Sequence, residues 1–105
     1  MLYRIVCTDT DEVVSTHRLD QCAQDRLCRD MDRYKAAMME SEDGKNWTLS
    51  ELLVVEAEGC FVARTPRELE DRVPPTVLAR VTDQRGILKG SFVRGKYTPQ
   101  GHRCR

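Results

Sequence analysis

Five cysteines (Cys7, Cys22, Cys28, Cys60, Cys104) and two histidines (His17, His102) are the residues of this chain best suited to hold a metal or to act as nucleophiles. A structural zinc site usually announces itself by paired ligands such as Cys-x-x-Cys, in which a tight turn aims two sulfurs at one ion. No such pair occurs. On a helix Cys22 and Cys28 would point about 120° apart, which makes them poor co-ligands. His102 and Cys104 could join at the C-terminus, and His17 with Cys22, only through long-range convergence that the spacing does not indicate. No metal site is therefore expected, and the odd cysteine count with irregular spacing predicts reduced, mostly buried thiols.

Other reaction chemistry is equally thin. Nucleophilic catalysis needs a Cys or Ser beside a base that a third group orients, and no local segment assembles one. The seventeen acidic residues would generate many accidental carboxylate pairs on a charged surface, so none marks a glycosidase-like site. Gly86, Gly90 and Gly95 lie four and five residues apart in a strand-like region. They suit a turn, a bulge or close backbone approach, and a strand end better than a phosphate loop. The chain is expected to be no enzyme and to carry no cofactor.

Charge is the stronger signal. The formal net charge is zero, yet all seventeen acids lie at or before Asp83, with eleven of the seventeen Lys and Arg. The segment after Asp83 holds the other six: Arg85, Lys89, Arg94, Lys96, Arg103 and Arg105. Phe92 and Tyr97 are interleaved with them. Cations attract phosphate and an exposed ring can stack on a base, so these residues, with Tyr97, are the first candidate surface for RNA, DNA or an acidic protein. A second candidate surface is Arg26, Arg29 and Arg33, which fall within about 60° on a helix. Asp30 four residues after Arg26 and Asp25 four before Arg29 temper that ridge with partners worth about 0.2–0.5 kcal/mol each.

The elements that must position these groups follow from periodicity. Leu19, Ala23, Leu27, Met31, Tyr34 and Met38 recur within about 120° of arc, which predicts one long amphipathic helix over Leu19 to Met39, capped by Thr16 or Asp20. Before it, Tyr3 to Thr8 and Val13 to Thr16 flank the polar Asp9-Thr10-Asp11-Glu12 and predict a hairpin. Residues 47–65 are ambiguous: Thr48-Leu49-Ser50-Glu51 has the form of a capping box for a helix over Leu49 to Glu58, whereas two apolar runs around Glu58-Gly59 favour a buried hairpin. The hairpin is the preferred reading. Thr65-Pro66-Arg67-Glu68 starts a short helix that Pro74-Pro75 stops. Val77 to Thr82 and Ile87 to Arg94 form a third hairpin, and Gly95 to Arg105, without apolar period, should be a loop or tail.

The expected fold is α+β: an antiparallel sheet of about six strands in ββαββαββ order, with the long helix packed across one face. One compact domain is expected over residues 1–94, followed by a basic C-terminal tail over residues 95–105. No internal repeat stands out. The chain has neither a run of about 18 apolar residues nor a signal-peptide pattern, so the expectation is a cytoplasmic protein with no membrane partner. In size and style it resembles the small inhibitors of host machinery that phages and mobile elements encode, a group with no common motif. The functional expectation is a non-enzymatic protein-binding module, an inhibitor or adaptor; the alternative is a nucleic-acid-binding regulator that uses the basic hairpin and tail.

Overall fold

The computed structural model describes residues 1–101. The chain folds as two compact units, Met1–Ser50 and Glu51 onward. Both are α+β with antiparallel sheets, one of four strands and one of five.

The first unit begins with the expected hairpin, β1 (Leu2–Cys7) and β2 (Val13–His17). Its turn is closed by Cys7 N–H donating to Glu12 O and Asp11 N–H donating to Cys7 O. Helix α1 (Asp20–Met31) has twelve residues and is followed by β3 (Ala36–Ser41) and the two-residue β4 (Thr48–Leu49). The sheet order is β2-β1-β3-β4.

The single long helix is thus corrected. Its first half forms, with Ala23 and Leu27 fully buried. Its second half does not: Arg33 and Tyr34 N–H both donate to Asp30 O, closing the turn, and Ala36 to Ser41 pair along the whole of β1. Six ladder positions on an otherwise one-sided strand outweigh the few tenths of a kcal/mol per residue by which Ala and Met favour helix. Met38 is buried as expected, but from a strand, directly opposite the equally buried Ile5. Helix α1 packs on β1, β2 and β3 and covers the sheet face that carries Ile5 and Met38. Neither expected cap is used; Leu19 is the N-cap residue and lies 65% exposed.

The second unit holds β5 (Leu53–Glu56) and β6 (Cys60–Ala63), the preferred hairpin rather than a helix. Helix α2 (Pro66–Arg72) starts as read: Thr65 Oγ1 accepts from Glu68 N–H at 3.2 Å, with Pro66 at the first turn. β7 (Ala79–Thr82) and β8 (Leu88–Val93) form the third hairpin. Lys96–Pro99, expected to be loop or tail, is instead strand β9, registered Phe92 to Tyr97 and Ser91 to Thr98. Its core gathers Val55, Ala63, Leu69, Val73, Val81 and Phe92, with Phe61, Ala79 and Tyr97 packed against it.

The sheet order here is β6-β5-β7-β8-β9, so there are two sheets and nine strands in place of one sheet of six. The three unforeseen strands are β3, hidden in the helical period, the two-residue β4, and β9. Strand for strand, β2-β1-β3-β4 and β6-β5-β7-β8 have the same connectivity: a hairpin, a helix, then a strand that pairs antiparallel with the hairpin's first strand. The repeat that the sequence does not display is present in the topology.

Candidate functional site

Two open sheet faces and one helix surface carry the candidate residues. In the second unit, the side chains of β7, β8 and β9 alternate about the sheet. Ala79, Phe92 and Tyr97 share one row and turn toward the core, as do Val81 and Gly90. Arg80, Ser91 and Thr98 share the next row and turn outward, with Val93 and Lys96 on the same outer face; Lys89 lies where β8 shifts register against β7. Arg80, Lys89, Lys96 and Thr98 are exposed, Ser91 is half-buried, and these strands place no acid on that face.

The predicted basic residues divide within this unit. Arg94 and Gly95 form the two-residue β8–β9 turn with φ of 52° and 80°, the left-handed pair a tight hairpin turn needs. Arg94 and Lys96 are exposed and have no ion pair among the described residues. Arg85 and Lys89 stand near the buried Asp83 carboxylate, at 3.9 and 4.0 Å, and Arg85 also reaches Glu51 at 3.8 Å. The exposed Arg85–Glu51 pair is worth about 0–1 kcal/mol. Asp83 organises the β7–β8 loop, its Oδ1 accepting from the N–H groups of Arg85 and Ile87.

Tyr97 does not serve as a stacking platform. Its ring packs on the core, its hydroxyl donates to Lys89 O at 2.9 Å, and burial raises its phenol. Phe92 is fully buried. Arg103 and Arg105 lie outside the described residues, as do His102 and Cys104. Arg80, absent from the sequence candidates, joins this face; its place between Ala79 and Val81 on an alternating strand is the signal that could have found it.

The arginine ridge is only partly a ridge. Arg26 Nε donates to both oxygens of the buried Asp30, at 3.1 and 3.0 Å, and Tyr34 Oη donates to the same carboxylate at 2.6 Å. Burial and then that hydrogen bond push the Tyr34 phenol up to about 12. Asp25 accepts from Gln21 Nε2, leaving Arg29 without the partner its spacing suggests, and Arg33 lies past the end of α1.

The thiols are not a site. Among the described residues no disulfide forms and no cysteine is buried, in contrast to expectation; Cys22 is exposed and Cys7, Cys28 and Cys60 are half-buried. Hydrogen bonds from Thr10 and Asp9 lower the Cys7 thiol from its ordinary value. No group of three or more His, Cys, Asp or Glu among the described residues could hold a metal ion. No described helix is long and apolar enough to cross a membrane.

The feature that the sequence hides is on the open face of the first unit. A groove of about 350 Å³ runs over β1, β3 and β4 and is lined by Arg4, Val6, Thr8, Asp11, Val13, Ala37, Met39, Trp47 and Leu49. On its lining the Arg4 guanidinium lies 4.0 Å from the Trp47 ring centroid, while Arg4 Nε is out of water with no hydrogen-bond partner. A desolvated cation over an indole gains up to about 2 kcal/mol, and a buried donor without an acceptor costs about 1–3 kcal/mol. The two effects are of one size, so the ring holds Arg4 in place without satisfying it.

Trp47 is held by the loop before it. Asp43 Oδ1 accepts from Ser41 Oγ, Lys45 N–H and Asn46 N–H, and Asp43 Oδ2 from Asn46 Nδ2. These backbone and side-chain donors hold the Asp43 carboxyl well below the usual carboxylate range. Gly44 takes φ of 76°, and Trp47 Nε1 donates to its carbonyl at 3.3 Å. Arg4 and Trp47 are far apart in sequence, and no local pattern links them.

No family model matches this chain, and neither a curated protein nor a solved structure matches it.

Proposed function

We propose that the chain is a small, non-enzymatic protein-binding module of the cytoplasm, an inhibitor or adaptor that docks an acidic protein surface on the outer face of β7, β8 and β9. The observation that carries the reading is the outer row of β7, β8 and β9, which holds no acid and where Arg80 and Lys96 stand with the Arg94 turn. Exposed Val93 on the same face and Leu78 just before β7, at 45% and 71% exposure, add apolar contact that a protein partner would bury. Complementary charge would steer the encounter and set its orientation. The inhibitor or adaptor role rests on the absence of any reaction motif in the sequence.

The test is affinity purification of the tagged chain from its native cell, with and without nuclease. A stoichiometric protein partner should survive nuclease and be lost on Arg80→Glu with Lys96→Glu. Retention of that partner by the double variant would overturn the docking face.

A nucleic-acid reading is favoured by the same lack of acids. It would use phosphate contacts alone, because Tyr97 and Phe92 turn inward. Arg94→Asn, which suits the positive φ, together with Lys96→Glu should then abolish retention of a duplex. The salt slope should be about −3.6 if four phosphates are engaged, and salt-insensitive retention would rule this reading out.

A further inference from the structure

We infer that the groove over β1, β3 and β4 is a binding site for small monocarboxylates with an apolar body, separate from the face proposed above to dock a protein. Three observations specify that chemistry. The walls are apolar, with Val6, Ala37, Met39, Leu49 and Trp47 offering contact to a hydrocarbon or aromatic body. The one cation among them, Arg4, has no ion pair among the described residues, and its Nε lacks an acceptor. A guanidinium presents its N–H groups in a planar fork that a carboxylate matches with two parallel bonds.

Size and charge narrow the occupant further. About 350 Å³ is the scale of a pocket for a small organic molecule rather than a broad protein footprint. Asp11 at the groove's lining would repel a second negative charge, which favours a monoanion over a phosphate dianion. Trp47 covers Arg4 and is tied to its loop by the single 3.3 Å bond to Gly44 O. A modest shift of the indole therefore opens Arg4 to an incoming carboxylate, whose oxygens supply the missing acceptor. No covalent step is involved.

Trp47 is the only tryptophan of the chain, so its emission reports this site alone. The experiment titrates the full chain with 4-phenylbutyrate and, separately, with the neutral 4-phenylbutyramide. The carboxylate should shift Trp47 emission saturably and bind at least about tenfold more tightly than the amide. Arg4→Met should reduce the acid to the level of the amide, while Arg67→Glu, at an exposed position of α2, should leave the titration unchanged. Equal binding of acid and amide would show an apolar surface without carboxylate selection and overturn the inference, as would the absence of any saturable response in the millimolar range. Should Arg4→Met fail to fold, the comparison of acid with amide in the unaltered chain decides the matter alone.

Discussion

The two units share a strand order and a connectivity, yet their open faces are chemically opposite. In the first, positions that alternate with the buried Ile5 and Met38 are Arg4, Val6, Ala37 and Met39, a mostly apolar surface with one stacked cation. In the second, positions that alternate with the buried Val81 and Phe92 are Arg80, Ser91 and Val93, with Lys96 opposite Val93, a more polar and basic surface. The helices differ in the same spirit. α1 is twelve residues long with an uncapped start, whereas α2 is seven residues long, capped by Thr65 and set by Pro66. Period-two alternation fixes which residues face the helix, and the remaining alternate residues are left free to acquire different chemistry. The topology repeats because one face of each sheet must be buried; nothing requires the other faces to match.

That contrast can be broken most severely at Leu27, a residue of α1 that is fully buried. Leu27→Asp places a charge in an apolar site at a cost of several kcal/mol, comparable with a domain's total stability of about 5–15 kcal/mol. The cooperative melt of the first unit should be lost in circular dichroism; a retained melt would mean that α1 does not hold its sheet. Next comes Gly90 in the second unit, where an added Cβ would overlap the carbonyl oxygen of Thr98 and crowd the Tyr97 ring at 2.8 Å. Gly90→Ala should cost about 1–3 kcal/mol in urea unfolding, because the clash is with backbone that must move. A neutral result would show that β9 is not held against β8.

The capping difference predicts smaller, unequal effects. Thr65→Ala should cost about 1 kcal/mol, while Leu19→Ala, at a start with no side-chain cap, should cost almost nothing. Equal losses would erase the distinction between the two helix starts. A pH dependence belongs to the first unit. The folded Tyr34 phenol is raised to about 12 from an ordinary value of 10.0, so its contribution is full below pH 10 and is lost as pH rises toward 12. Tyr34→Phe should flatten that part of the alkaline stability profile measured by thermal melting; an unchanged profile would point to other groups.

Much of the second unit was legible because its signals are local. Thr65-Pro66-Arg67-Glu68 carries its own cap and helix start, and Gly86 and Gly90 fall at a turn and a close approach, whereas Gly95, expected at a strand end, stands in the β8–β9 hairpin turn. The first unit misled where a local period competed with a distant partner. Tyr34 and Met38 continue the helical stripe, but Met38 finds Ile5 across the sheet instead. The face of β7 to β9 was legible in its cations and not in its aromatics, since Tyr97 reads as an exposed ring until its ladder with Phe92 turns it inward. The Arg4 and Trp47 contact joins β1 to the approach of β4, and only the sheet order brings the two together.

The edge strands carry a last consequence. β9 ends its sheet with Lys96 and Pro99, and β4 has only two residues, which are ordinary defences against strand addition. β2 has five residues, no Lys or Pro, and exposed Val13 and Val14. Light scattering of concentrated protein should show slow self-association that Val14→Lys suppresses, and an unaltered rate in that variant would exonerate β2. β6 (Cys60–Ala63) is the other edge strand without Lys or Pro, but it carries no exposed valine, so suppression by Val14→Lys would make the rim of the first sheet the part that sets the concentration at which this chain stays dispersed.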